Sequence, residues 1–165
     1  EVIARCPWAT TGRTHHRTPN IITSLELDPA EMEKRNIHLQ KKYAEIEENE
    51  VRFEELHCED AEYLIVAFGS CARIAQKAME IAREEGIKVG LLRPITLWPF
   101  PSKAIAARAA QVKGILTVEL NAGQMVEDVR LAVECKVPVE HFGRLGGIVP
   151  DPDEVITALK EKLIK

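Results

Sequence analysis

The sequence contains no closely spaced pair of cysteines. Its four cysteines, Cys6, Cys58, Cys71 and Cys135, lie far apart along 165 residues. Iron–sulfur clusters and structural zinc sites normally show closer pairing, so neither is predicted. A disulfide framework is equally disfavoured at this density, which favours reduced thiols and a cytoplasmic location.

Other familiar signals are also missing. No apolar stretch approaches the roughly 20 residues of a membrane span, and no signal peptide opens the chain. The net charge is −4, without the dominant basic face of a nucleic-acid binder. Neither Gly-x-x-x-x-Gly-Lys-Ser/Thr nor Gly-x-Gly-x-x-Gly occurs. We therefore expect neither membrane nor nucleic-acid partners, and the start at Glu1 suggests a piece of a longer chain or a processed one.

From residue 63 to the end of the sequence, four short apolar runs alternate with helix-patterned segments. They occupy residues 63–68, 87–92, 115–120 and 137–142. Near-continuous apolar strands separated by helices are typical of a parallel sheet covered on both faces. The pattern predicts an α/β fold, with residues 51–56 as a half-exposed edge strand.

The first 50 residues do not show this alternation of apolar runs and helical segments. Residues 1–27 are predicted to form an irregular arm, and Asp28-Pro29 begins a charged surface helix with an N-cap acceptor and a proline at its first position. Residues 26–62 contain 13 acidic and 5 basic side chains. We therefore predict an arm and linker helix over residues 1–50 and an α/β domain over residues 51–165.

Polar residues follow the carboxyl ends of the predicted strands, where ligand sites form in open parallel sheets. They could point into a pocket at that edge, or they could cap strands and helices or contact a neighbouring domain, which is the more frequent role of such residues. The candidates are Ser70, Arg93, Glu119, Asn121, Gln124 and Arg144.

Several other residues have both a possible functional role and a simpler structural one. The adjacent His15 and His16 are better explained as exposed or interface residues than as metal ligands, and His141 as a hydrogen-bonded structural residue. The first turn of a helix would lower the pKa of the Cys71 thiol, but no base is identified beside it, which favours a packing role. Trp98 and Phe100, between prolines, could anchor a crossover onto the sheet or form a subunit contact.

Three segments together resemble a known family. They are Leu64-Ile-Val-Ala-Phe-Gly-Ser70, Leu92-Arg-Pro-Ile-Thr-Leu-Trp-Pro-Phe-Pro101 and Val118-Glu-Leu-Asn-Ala-Gly-Gln-Met125. With Gly143-Arg-Leu-Gly-Gly147, Thr11-Gly-Arg-Thr-His15 and the helix around Met32-Glu-Lys-Arg35, they resemble the C-terminal part of the alpha subunit of 2-oxoacid:ferredoxin oxidoreductases, of the 2-oxoglutarate or 2-oxoisovalerate type.

The resemblance implies a fold similar to the transketolase C-terminal domain. Such a domain has three α/β/α layers around a five-stranded, mostly parallel sheet, with residues 51–56 as the antiparallel strand. Enzymes of this family decarboxylate a 2-oxoacid oxidatively, form an acyl-CoA and reduce ferredoxin, using thiamine diphosphate, Mg²⁺ and iron–sulfur clusters. The resemblance implies a beta subunit that binds thiamine diphosphate, further subunits, and ferredoxin as partners.

No catalytic or metal-binding residue is assigned to this chain by that resemblance. The sequence contains no Gly-Asp-Gly motif for a metal and diphosphate. We therefore expect a domain that binds no cofactor itself, is inactive alone, and braces the active-site domain and subunit assembly. Two alternatives stay open: a freestanding flavodoxin-like module that binds a nucleotide or acyl ligand, and a module that forms a homodimer through residues 98–101.

Overall fold

The computed structural model describes residues 24–164. The chain divides after Lys41 into two compact units, and the helix α1 (Pro29–Asn49) runs across that division. The Asp28 carboxylate accepts the amides of Ala30 and Glu31 at 2.8 and 3.3 Å, which confirms the predicted N-cap. No residue of α1 is buried, in agreement with a surface helix.

The second unit contains five strands and four further α-helices in an alternating order. The elements are β1 (Phe53–Leu56), β2 (Tyr63–Ala67), α2 (Gly69–Glu84), β3 (Val89–Pro94), α3 (Ser102–Ala109), β4 (Gly114–Glu119), α4 (Met125–Val133), β5 (Val139–Gly143) and α5 (Pro152–Leu159), followed by a π-helical segment (Lys160–Ile164).

The strands form one sheet in the order β1-β3-β2-β4-β5. All neighbours are parallel except β1, which is antiparallel to β3 with Phe53 opposite Pro94. The predicted parallel sheet and its antiparallel edge strand are therefore confirmed.

Two hydrophobic cores lie on opposite faces of this sheet because successive strand residues point to opposite sides. Ile65 and Leu116 belong to the core shared with α2 and α5. Leu64 and Ile115 belong to the core shared with α3 and α4. The central strands bury both faces, which explains why their sequences read as continuous apolar runs. The three α/β/α layers are those that we predicted.

Several element ends differ from the sequence-based prediction. The second predicted strand begins at Val89 rather than Ile87, because the Ile87 amide donates to Ala82 in the turn that closes α2 at the left-handed Gly86. The fourth begins at Val139 rather than Val137. Pro101 is the N-cap of α3.

The last α-helix begins at two reciprocal hydrogen bonds. Asp151 accepts the Glu154 amide at 2.8 Å, and the Glu154 carboxylate accepts the Asp151 amide at 3.2 Å. This reciprocal capping box fixes the start of α5. Val155 and Leu159 are fully buried on the inner side of the helix, and Leu163 packs near Gly114.

Candidate functional site

The carboxyl ends of β2 and β4 form the switch point of the sheet. These strands are neighbours, yet the helices that follow them pack on opposite faces, α2 on one and α4 on the other. Gly69 adopts a left-handed φ of +57°, which allows the sharp turn from β2 into α2. In open α/β sheets a ligand crevice opens at such a point. The positions of the predicted polar residues are therefore described relative to the switch point.

Glu119 takes the capping role, one of the two alternatives that the sequence left open. Its side chain is only 1% exposed, at the end of β4. One carboxylate oxygen accepts the amides of Gln124 and Met125 at 3.2 and 2.8 Å, and the other accepts the amide of Val126 at 3.0 Å. The carboxylate thus caps the first turn of α4, where backbone amides and the helix dipole favour a negative charge.

Asn121 and Gln124 lie in the loop that this cap closes. The Asn121 side-chain oxygen accepts the Gly123 amide at 2.7 Å, forming a local turn. Gln124 is exposed and stands immediately before α4. The structure therefore brings Glu119, Asn121 and Gln124 together in one folded loop. The side chains of Glu119 and Asn121 accept hydrogen bonds from backbone amides of that loop and of α4.

The other three predicted site residues lie on separate elements. Arg144 adjoins the loop through its backbone amide, which donates to the Glu119 carbonyl oxygen at 3.3 Å. Ser70 is exposed in the first turn of α2. Arg93 pairs with Glu54 of β1 at 2.8 Å, and Arg144 pairs with Glu154 of α5 at 3.0 Å. Since β2 and β4 separate β3 from β5, the two arginines belong to opposite sides of the sheet. The side chains of Arg93 and Arg144 are thus engaged in ion pairs at different strand ends.

His141 contacts the Glu119 loop, a link that the sequence did not predict. Its Nδ1 lies 3.4 Å from the Glu119 carboxylate and 3.2 Å from Thr117 Oγ1, and its Nε2 lies 3.3 Å from the Asn121 carbonyl oxygen. The predicted hydrogen-bonded role is confirmed. The cluster arises because Thr117 and His141 are partners across β4 and β5, a register that local composition does not reveal.

Cys71 is a packing residue, as the sequence favoured. It is buried in the core beneath α2, and burial, reinforced by the charge of Glu119, raises the pKa of its thiol. The lowering expected from the helix dipole is therefore outweighed. Cys58 is also buried, and desolvation raises the pKa of its thiol to about 11.

Trp98 and Phe100 have different roles in the crossover between β3 and α3. Phe100 packs against the second core, as an anchor would. Trp98 remains 55% exposed and contacts Tyr43 edge to face, with ring centroids 5.6 Å apart. A groove of about 840 Å³ opens nearby, with Phe53 and Phe100 among its apolar lining residues and Glu47, Glu48 and Lys103 as its charged ones.

Four exposed apolar residues stand on the loops that follow β4 and β5. They form what we term the strand-end patch: Leu120, Leu145, Ile148 and Val149, with exposed fractions of 45%, 58%, 52% and 60%. These loops were predicted to be polar, and their exposed apolar residues were not predicted. The only local signal was the apolar content of the glycine-flanked segment 145–149.

Within residues 24–164, no group of three histidine, cysteine, aspartate or glutamate side chains is placed to hold a metal ion. None of the helices there is long and apolar enough to cross a membrane. His15 and His16, and the arm to which they belong, lie outside the described residues.

Comparisons with known proteins agree with the resemblance to 2-oxoacid:ferredoxin oxidoreductase subunits that the sequence motifs indicated. Residues 61–155 match the family model for pyruvate:ferredoxin oxidoreductase core domain II. The chain is 47% identical to ketoisovalerate oxidoreductase subunit VorB of Methanothermobacter thermautotrophicus, over 93% of this chain and 43% of that protein. It is 32% identical to 2-oxoglutarate synthase subunit KorA of Archaeoglobus fulgidus, over 85% of this chain and 40% of that protein. The chain therefore spans less than half the length of these relatives.

Two solved structures share the fold. One is 2-oxoglutarate:ferredoxin oxidoreductase from Magnetococcus marinus with 2-oxoglutarate, coenzyme A and succinyl-CoA bound. It superposes with a TM-score of 0.70 at 25% identity, over 82% of this chain and 24% of that one. The other is a split-gene transketolase, an inactive β4 tetramer, with a TM-score of 0.59 at 20% identity over 68% of this chain and 41% of that one. The transketolase-like fold is thereby confirmed.

Proposed function

Because this chain belongs to the pyruvate:ferredoxin oxidoreductase core domain II family, we propose that it is a non-catalytic domain of a 2-oxoacid:ferredoxin oxidoreductase subunit. The complete enzyme would decarboxylate a 2-oxoacid oxidatively, form the acyl-CoA and reduce ferredoxin. Identities of 45–47% to VorB subunits, against 31–34% to KorA subunits, favour a branched-chain 2-oxoacid as its substrate.

Residues 24–164 do not fit the cofactors of such an enzyme. The described part offers no cluster of metal ligands for Mg²⁺ with thiamine diphosphate, and the sequence has no Gly-Asp-Gly motif. Cys58 and Cys71 are buried in different cores, so they cannot share an iron–sulfur cluster. We therefore assign no step of the reaction to this chain, and the cofactors would belong to the remainder of the subunit and to its partners.

The observation that carries the proposal is the exposure of apolar side chains at the strand-end edge, where the carboxylate is buried. Its carboxylate, Glu119, is turned inward and used as a helix cap, whereas the strand-end patch presents apolar side chains to the outside. Exposed apolar side chains on the adjoining loops of neighbouring strands are suited to packing against another protein domain. We infer that this edge braces the active-site domain and the thiamine diphosphate-binding subunit.

A flavodoxin-like ligand module is less well supported. Such a module would bind phosphate or another anion at the helix N-termini of the switch point. At α4 the first-turn amides of Gln124, Met125 and Val126 are already bonded to Glu119. A ligand anion would have to displace a buried carboxylate that is covalently part of the strand.

We also propose that residues 1–50 act as an arm and linker helix, and that residues 51–165 form the packing domain. Within the described residues the sheet begins at Phe53, and α1 contributes no buried residue. The linker helix would connect the packing domain to the preceding part of a longer subunit, since the relatives are more than twice as long as the aligned region.

The experiment is a dye-reduction assay on the purified chain. It is supplied with thiamine diphosphate, Mg²⁺, CoA, a branched-chain 2-oxoacid and methyl viologen under anaerobic conditions. We expect no reduction above that of buffer, whereas the same assay with the separately purified thiamine diphosphate-binding subunit and the complete alpha subunit reduces the dye. Turnover by the isolated chain would overturn the proposal.

A further inference from the structure

We propose that two copies of this chain pair about a two-fold axis through the crossover between β3 and α3, with Trp98 of each copy entering a groove on the other. The pairing uses the β1–β3 side of the molecule, whereas the strand-end patch follows β4 and β5. It is therefore independent of the proposed bracing role, and a chain that stays monomeric would leave that role untouched.

The crossover exposes large apolar side chains together with residues of α1 and β1. We term them the crossover surface: Tyr43, Phe53, Ile95, Leu97 and Trp98, with exposed fractions of 38%, 39%, 49%, 49% and 55%. Clustered exposure of this kind marks protein interaction sites, and tryptophan and tyrosine are enriched among the residues that dominate binding.

Contacts within the chain hold this surface together. The Trp98 ring meets Tyr43 edge to face, with ring centroids 5.6 Å apart. The Ile95 amide donates to the Arg52 carbonyl oxygen at 2.9 Å, directly before Phe53. Trp98 is thus a supported projection, which reduces the conformational entropy lost when a partner binds it.

The groove of about 840 Å³ next to Trp98 supplies a recess. Phe53, Pro99 and Phe100 belong to its apolar lining. Its volume falls in the range of about 300–1,000 Å³ of sites that enclose whole small ligands, so an indole side chain fits. A two-fold contact uses the same surface on both copies, and each copy must therefore carry both a projection and a recess.

Three exposed charged residues at this groove oppose the dipoles of their own helices. Glu47 and Glu48 lie in the last turn of α1, which contains no basic residue. Lys103 lies in the first turn of α3, which contains no acidic residue. Negative charge is favourable at helix N-termini and positive charge at C-termini, so both placements are the reverse of what helix stability favours.

The same three charges are available to a second copy. Among residues 24–164, Glu47, Glu48 and Lys103 form no ion pair. A two-fold axis between the grooves would bring Lys103 of each copy against Glu47 and Glu48 of the other. This charge complementarity favours a second copy as the occupant, because one surface carries both halves of each pair.

The pairing should be weak and reversible. The groove and the crossover surface together comprise about 15 residues on each copy, against roughly 20–30 in stable interfaces of standard size. We therefore expect a dissociation constant on the order of 10 μM.

Sedimentation equilibrium of the intact chain tests the proposal at concentrations from about 1 to about 200 μM. We expect a reversible equilibrium between monomer and dimer. Trp98→Ala should raise the dissociation constant by more than about tenfold, because a tryptophan held in a recess is a typical hot spot. Monomer throughout the range, or unchanged dimerisation of Trp98→Ala, would overturn the proposal.

An exchange of charges between two variants identifies the occupant. Lys103→Glu in one chain, and Glu47→Lys with Glu48→Lys in another, each place like charges together in a homodimer. Each variant alone should therefore dimerise at least about tenfold more weakly than the wild type. An equal mixture restores opposite charges at both contacts and should dimerise about as tightly as the wild type.

Leu145→Asp, in the strand-end patch, is the control and should leave the dissociation constant unchanged. A mixture of the charge variants that stays monomeric would overturn the two-fold pairing. Loss of the dimer in Leu145→Asp would overturn it as well, because the contact would then lie at the strand-end patch.

Discussion

The Glu119 carboxylate accepts the Met125 backbone amide at 2.8 Å and so ties the last residue of β4 to the first residue of α4. The bond closes the loop at the switch point over five intervening residues. It also explains why this edge of the sheet carries a buried charge without offering it to a ligand.

Replacing this carboxylate should be costly. In Glu119→Gln, one acceptor oxygen becomes an NH₂ group that faces backbone N–H donors, so at least one buried bond is lost and two donors oppose each other. We expect the free energy of unfolding to fall by about 3 kcal/mol. The measurement is urea denaturation of both proteins.

Glu127→Gln is the control, because Glu127 is exposed in the first turn of the same helix. It should change the free energy of unfolding by less than about 0.5 kcal/mol. Equal effects of the two substitutions would mean that Glu119 acts only through the helix dipole and not as a buried cap.

Gly143 is predicted to tolerate no side chain. A Cβ there would overlap the Asn121 carbonyl oxygen, which is backbone and cannot move without shifting the loop. Gly143→Ala should therefore lower the midpoint of thermal unfolding substantially and broaden the amide signals of residues 120–124. Gly146→Ala meets no atom within 4 Å and adds only the strain of a left-handed φ of +64°, about 1 kcal/mol. A Gly143→Ala protein as stable as Gly146→Ala would contradict this packing.

Glu55 and Arg108 should stabilise the fold in a pH-dependent way. Two hydrogen bonds of 2.9 and 2.6 Å join these mostly buried side chains, and the bond to Arg108 lowers the pKa of the Glu55 carboxyl. A lowered folded-state pKa means that the contribution is complete above the unfolded pKa, about 4.3, and disappears as the pH falls through the folded value. Glu55→Gln should thus cost about 2 kcal/mol at pH 7 and progressively less below about pH 4.

The neighbouring Glu54 provides the control for this pair. It also binds an arginine, Arg93, but both side chains are about half exposed. Glu54→Gln should change the free energy of unfolding by less than about 0.5 kcal/mol at any pH. A constant difference between wild type and Glu55→Gln down to pH 3 would show that the charge of Glu55 is not what stabilises the fold.

The cysteines should differ strongly in reactivity. Cys135 is exposed, whereas Cys58 is buried and the pKa of its thiol is raised to about 11. At neutral pH the thiolate fraction of Cys58 is about a hundredfold below that of an ordinary thiol, and access is blocked as well. Peptide mapping after a short iodoacetamide pulse should find Cys135 modified and Cys58 and Cys71 unmodified. Labelling of Cys58 as fast as Cys135 would contradict the buried position.

The strands and helices could be read from the sequence because burial on both faces of a central strand leaves a continuous apolar run. Leu64 and Ile65 illustrate this, as each enters a different core. Helix starts are also encoded locally, because capping residues such as Asp28 and Asp151 bind backbone amides two or three residues ahead. The start of β3 was misplaced because Ile87, although apolar, is used in the turn that closes α2.

The site was less predictable because it depends on contacts between distant elements. Glu119 reads as a polar strand end, and only the approach of α4 shows that its carboxylate turns inward. The cluster around His141 requires the register between β4 and β5, and the destinations of Arg93 and Arg144 are set by Glu54 and Glu154. None of these pairings leaves a trace in the local sequence.

The most direct measurement of the proposed role is a calorimetric titration of this chain with the thiamine diphosphate-binding subunit from the same organism. We predict saturable binding that weakens by more than about tenfold when Leu120 and Leu145 in the strand-end patch are both changed to aspartate. Leu131→Asp, on an exposed site of α4 that is 77% accessible, should leave the affinity unchanged. Absence of binding by the unmodified chain, or undiminished affinity of the double variant, would contradict the proposed bracing role.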